Sequence, residues 1–135
     1  MTAPWRLFLA VGLGGMLGSV ARALVSVGLL HALGPAFPWG TLAVNAAGSL
    51  LIGLYATLTE PGGRVFASPA QRQFVLAGFC GGFTTFSIFS LETLLLVQQG
   101  TPALAGLYLG ASLLLWMLAV WGGHRIGRRL NRLRG

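Results

Sequence analysis

Four long apolar segments, at about 7–33, 39–59, 74–97 and 103–123, take up most of this 135-residue chain and fix its architecture. The shortest holds 21 residues. As a helix that is about 31 Å, enough to cross the hydrocarbon core of a bilayer. Charged residues make up 8% of the chain and the mean hydropathy is +0.78, whereas soluble domains carry roughly 25% charged residues. The breaks carry turn chemistry: GPAFP at 34–38, EPGG at 60–63, SP at 68–69 and QQGTP at 98–102. No stretch keeps the alternation of an outer-membrane strand. The chain reads as an all-α membrane protein, a single domain over 1–135 with four spans and short loops. The first segment is too long for a cleaved signal and contains Arg22, so it reads as a retained span.

All nine basic residues are arginine, and Glu60 and Glu92 are the two acids. Arg6, Arg64, Arg72, Arg125, Arg128, Arg129, Arg132 and Arg134 lie outside the spans or at their edges. With four crossings, the N-terminus, the 60–72 loop and the C-terminus share one face. That face gathers eight arginines and the opposite loops none. The positive-inside rule then puts both termini in the cytoplasm of a multi-pass protein of the cell (inner or plasma) membrane. The tail RIGRRLNRLRG at 125–135 follows a span directly. Anionic headgroups, at about 1 kcal/mol per arginine, account for the +7 net charge without a nucleic-acid partner. The one cysteine, Cys80, excludes an internal disulfide, and His31 and His124 stand apart, away from any metal-ligand spacing. With no nucleophile–base pair either, the sequence argues against an enzyme.

Polar residues inside a span are costly, so their spacing is informative. Gly14, Gly18 and Arg22 fall four apart on one face of the first span. That is either a packing seam with a snorkelling arginine or the mouth of an aqueous vestibule that attracts anions. In the second span Thr41, Asn45, Ser49 and Gly53 share a face. Asn45 either holds helices together or offers its amide N–H groups to a ligand. The fourth span carries Tyr108 and Ser112 four apart, as part of an aromatic belt or of a narrow polar path, with Trp116 and Trp121 toward the far end.

The third span contains CGGFTTFSIFS at 80–90, a poor helix interior. Gly81 and Gly82 can leave helical geometry at low steric cost. The carbonyls so freed need a partner in lipid, and broken membrane helices often offer them to a cation. Thr84, Thr85, Ser87 and Ser90 supply hydroxyls around that expected break. Phe86 and Phe89, one turn apart, are expected to point the same way. They serve either as core packing or as ring edges turned toward an anion. Glu92, the one acid inside a span, is a proton carrier, a cation partner or a vestibule residue.

These residues together resemble the Fluc (CrcB) family of fluoride channels. GGFTTFSIFSLE at 81–92 is similar to the family's GGxTTFSTFSxE, GTLAVNAAGSLLIG at 40–53 to its G-T-x-x-x-N helix, and GGMLGSVAR at 14–22 to its first-helix motif. The resemblance covers the whole chain. It implies an antiparallel, dual-topology homodimer with two pores, each lined by both subunits. It also implies a central structural Na⁺ at the break, held by the backbone carbonyls of Gly81 and Thr84. Phe86, Phe89, Asn45, Thr85, Ser87, Tyr108 and Ser112 would line the fluoride pore, with Arg22 and Glu92 in the vestibules. The implied function is passive F⁻ export that relieves fluoride toxicity.

Two departures stand out. Ile88 replaces a threonine, which removes a hydroxyl beside the phenylalanine pair at a position expected to face packing. The arginine asymmetry also favours one insertion orientation. Either it is overridden during insertion, or the chain pairs with an oppositely oriented partner as a heterodimer. The alternative function is a small proton-coupled four-helix exporter. That chemistry needs a central acid in the first span, where this chain has none.

Overall fold

The computed structural model describes residues 4–133, and those residues form four helical spans with no strand among them. The first span, Pro4–Leu33, opens on a proline, whose missing N–H costs nothing in the first turn. It ends where Gly34, at φ +78°, donates its N–H to the Leu30 carbonyl at 2.9 Å. A left-handed residue just past a helix favours glycine, so this stop is written in the sequence. The second span, Trp39–Leu58, is followed by the 59–68 connection. Ser68 and Gln71 then form a reciprocal capping box, with Pro69 just inside it, to start the third span. The fourth span begins at Pro102 and runs unbroken to Arg132. The arginine-rich tail is thus a rigid helical extension, about nine residues beyond the apolar segment read from hydropathy.

The third span is composite. An α-helical turn, Pro69–Gln73, passes into a π-helical stretch, Phe74–Cys80, and a closing α turn, Gly81–Phe83. The chain then leaves the helix, with Thr84 extended at φ −87° and ψ 161°, and resumes as Ser87–Gln98. The break is therefore real, but it begins at Thr84, two residues after the glycine pair. Gly81 keeps helical angles, φ −62° and ψ −38°.

Close packing explains why Gly82 stays helical. A Cβ at Gly82 would collide with the Gly15 carbonyl of the first span. One at Gly18 would strike the Phe79 carbonyl and come within 2.8 Å of the Phe83 N–H nitrogen. The first and third spans touch backbone to backbone, which leaves no room for side chains on this seam. The second and fourth spans meet in the same way, with Gly53 against the Val120 carbonyl and Gly123 against the Leu50 carbonyl. Such small-residue contacts are what hold membrane helices together where the hydrophobic effect supplies no force between them. The apolar core is small: Val44, Cys80, Phe89, Leu96, Ala105 and Tyr108. Most leucines face outward, as in a protein bathed in lipid.

A paired substitution checks the seam. Gly18→Val should destabilise the protein by about 1–3 kcal/mol or prevent folding, seen as a lower Tm and aggregation on size exclusion. Gly12→Val should behave as wild type, because a Cβ there meets nothing within 4 Å.

Candidate functional site

A break in a membrane helix strands backbone donors and acceptors that lipid cannot satisfy. Here one side chain of the second span restores both at Thr85. Asn45 Nδ2 donates to the Thr85 carbonyl at 2.7 Å, and the Thr85 N–H donates to Asn45 Oδ1 at 2.7 Å. Thr85 Oγ1 accepts the Ile88 N–H at 3.2 Å and so caps the resumed helix. On the other side of the break, Thr84 folds back, its hydroxyl donating to the Cys80 carbonyl at 2.8 Å. Because the Thr85 N–H goes to Asn45, the Gly81 carbonyl loses its i+4 partner. The Thr84 carbonyl leaves the helical ladder with its extended residue. Gly81 is exposed and Thr84 half-buried.

Two small cavities flank the break, and Thr85 borders both. One, of about 190 Å³, is lined by Asn45, Ser49, Thr84, Thr85, Phe86 and Trp116. The other, of about 240 Å³, brings Arg22, Thr41, Thr85, Ile88 and Glu92 together across three spans. Glu92 is held firmly: Thr41 Oγ1 donates to its Oε1 at 2.9 Å and the Tyr108 hydroxyl to its Oε2 at 2.7 Å. Tyr108 is thus fully buried and bonded to Glu92, enclosed by protein rather than facing outward as a belt residue would.

The phenylalanine pair is split by the break. Phe89 is 2% exposed, and its ring meets Tyr108 at 5.1 Å and Trp116 at 4.7 Å, both edge-on. Phe86 is 69% exposed, with its ring 5.6 Å from that of Phe89. They are neighbours that differ in exposure, with Phe86 open at the protomer surface and Phe89 enclosed. Ile88 is also exposed, beside the Arg22–Glu92 cavity, rather than packed.

The hydroxyl run is mostly used locally. Ser90 donates to the Phe86 carbonyl at 2.9 Å, and Thr85 and Ser87 share one contact at 3.4 Å. Ser87 is exposed. Ser112 differs from all of these. Its Oγ is completely buried and has no hydrogen-bond partner among the described residues. Gly81, Ser87, Phe89 and Ser112 border neither cavity. Trp116 was missed as a site residue by sequence reasoning, although it continues the spacing of four from Tyr108 through Ser112 and its indole N–H anchors to the Leu42 carbonyl at 3.4 Å.

Residues 9–124 match the family model described as CrcB-like protein, Camphor Resistance (CrcB). The chain is 51% identical over 129 residues to a protein of Rhodopseudomonas palustris named fluoride-specific ion channel FluC 1, covering 96% of this chain and 92% of that one. A protein of the same name from Bradyrhizobium diazoefficiens is 50% identical over 133 residues, with coverage of 96% and 92%. The fluoride-specific ion channel FluC of Opitutus terrae is 49% identical over 129 residues, covering 96% of this chain and 98% of that protein. The four spans, the Asn45-clamped break and this likeness along nearly the whole length establish that the chain belongs to the CrcB-like family.

Proposed function

We propose that this protein is a fluoride-selective channel, not an enzyme, that lets F⁻ leave the cytoplasm passively. It works as an antiparallel homodimer whose two pores are lined by both chains. The names of its relatives support the reading. The observation that carries it in the structure is the Asn45 amide, which spends one Nδ2 proton on the Thr85 carbonyl and lines the 190 Å³ cavity with Thr85 and Phe86. Leaving the other proton unpaired in a membrane interior is costly unless a ligand accepts it, and an anion is a ligand that does.

Fluoride is small and holds its water tightly. Moving even a carboxylate-sized ion into a low-dielectric medium costs on the order of 20 kcal/mol, so the pore must replace hydration with donors. Asn45 Nδ2 carries two protons and uses one on Thr85, which leaves the other for an anion. The shared Thr85–Ser87 contact consumes one hydroxyl proton of two. The edges of Phe86 and Phe89 add weak positive potential. Thr41 and Tyr108 give their protons to Glu92, so their part is to fix that carboxyl opposite Arg22 in the vestibule.

Gly81, Phe86, Ser87 and Ser90 are exposed along the middle of the third span, a surface ill suited to lipid. A second copy covers it in the proposed dimer. The Gly81 and Thr84 carbonyls, released from the helical ladder, are hard oxygen donors that suit Na⁺. Bound between protomers, that ion would supply a fixed positive charge beside the pores and join the two chains.

The first test is flux from proteoliposomes. Fluoride should be lost only when a K⁺ ionophore dissipates the potential, while chloride is retained. Fluoride loss driven solely by a pH gradient, or equal loss of chloride, overturns the reading.

Three variants divide the roles. Phe86→Ile should cut fluoride flux at least about tenfold with Tm unchanged, as expected for an exposed ring. Ser112→Ala should also lower flux, yet leave stability equal or raised, because it removes an unpartnered buried polar group. Asn45→Asp should lose both flux and about 1–3 kcal/mol of stability, since the Thr85 carbonyl is left without a donor. Wild-type flux in Phe86→Ile and Ser112→Ala would remove the pore assignment.

A further inference from the structure

We propose that a groove beside the start of the first span binds one anionic phospholipid. The groove, about 520 Å³, lies between the opening turns of the first span, the 65–67 stretch and the start of the third span. Its walls are apolar, with Leu9, Leu13, Phe74 and Val75 prominent. Leu13 is seven residues beyond Arg6, or about 10 Å along the helix axis. The trough therefore runs inward from Arg6 over about 10 Å, enough for the upper part of an acyl chain in a leaflet of about 15 Å.

The donors on the groove select the headgroup. Arg6 is its one charged lining residue, and neither acid of the chain, Glu60 or Glu92, lines it. Among the described residues the Arg6 guanidinium has only the ring of its neighbour Trp5, 5.4 Å away. Gln71 uses its Oε1 on the Ser68 N–H at 2.8 Å, which leaves its amide protons available. Tyr55 adds a hydroxyl to the same groove. A guanidinium, an amide and a phenol without an acidic partner call for an acceptor that is itself anionic, and a phosphodiester is the membrane group that supplies one. A choline headgroup brings a cation that Arg6 repels. The arginines gathered on this face, Arg64, Arg72, Arg125, Arg128, Arg129 and Arg132 among them, enrich anionic lipid around the mouth. Phe66, 95% exposed beside the groove, inserts into the same leaflet.

Native mass spectrometry of the full-length protein tests this, by titrating phosphatidylglycerol against phosphatidylcholine with the same chains. One phosphatidylglycerol per chain should be retained preferentially. Arg6→Gln should weaken retention about fivefold, the equivalent of one surface arginine. Ala10→Trp, which fills the trough, should remove the adduct, whereas Arg128→Gln should leave it unchanged. In liposomes, a photoreactive acyl chain on phosphatidylglycerol should label Leu9, Leu13, Phe74 and Val75. Equal retention of both lipids, or retention unaffected by both groove variants, overturns the proposal. So does labelling spread evenly over the spans. A change of oligomeric mass in Ala10→Trp also overturns it, because a second copy would then occupy the groove.

Discussion

The structure depends on the paired hydrogen bonds between Asn45 and the backbone of Thr85. An interrupted helix at bilayer depth is affordable only if the stranded N–H and C=O groups find partners inside the protein. The amide of Asn45 presents a donor and an acceptor side by side, which matches one peptide unit. Aspartate lacks the donor, and leucine lacks both. Once Thr85 is held, the rest of the break is served locally: Thr84 caps backward onto Cys80, and Thr85 caps forward onto Ile88. The irregular segment is thus a fixed feature of the fold, not a loosened helix.

That clamp also joins the two halves of the protomer. The first and third spans form one backbone-close pair, and the second and fourth form another. Asn45 bridges them at the break, and about two turns further on Glu92 bridges them again through Thr41 and Tyr108. Phe89 packs between these polar bridges against Tyr108 and Trp116. Asn45, Thr85, Thr41 and Tyr108 therefore sit around the middle of the bundle, whereas Thr57 and Thr59 are bonded separately near the end of the second span. Ser112 Oγ alone is buried without a hydrogen-bond partner among the described residues.

Much of this was legible in the sequence because bilayer thickness and helix period are strong constraints. Four spans followed from apolar length, and the stop at Gly34 and the start at Pro102 from turn chemistry. The buried face Thr41–Asn45–Gly53 followed from spacing. Placing the break at Gly81–Gly82 failed for a definite reason. A glycine permits both unwinding and close approach, and only the neighbouring helix decides which. Gly15, pressed against Gly82, requires a regular helix there. The break falls instead where Asn45 can reach, a pairing 40 residues apart in sequence that no local pattern announces. The π-helical stretch 74–80 and the split between Phe86 and Phe89 are likewise consequences of tertiary packing. Trp116 was a different kind of miss, since its spacing from Ser112 was visible while its polar handle drew less notice than a hydroxyl.

The arginine asymmetry bears on assembly through the same geometry. The fourth span carries its arginines on a helix that continues to Arg132, and Asn131 ties that extension to the second span, donating to the Thr57 carbonyl at 2.9 Å. The same side chain accepts the Arg64 N–H at 2.8 Å, so the charged face is built into the folded protomer. Charge bias acts during insertion, when loops choose a side of the membrane. In the proposed dimer, packing acts afterwards, where a second copy covers the exposed polar strip of the third span. In the proposed antiparallel pair each leaflet receives one arginine-rich face, so the dimer is electrostatically balanced although the chain is not. The bias then limits how often the minority orientation is made. The stability of the finished pair is set by the covered break, where the cost of leaving Phe86, Ser87 and the freed carbonyls against lipid is removed.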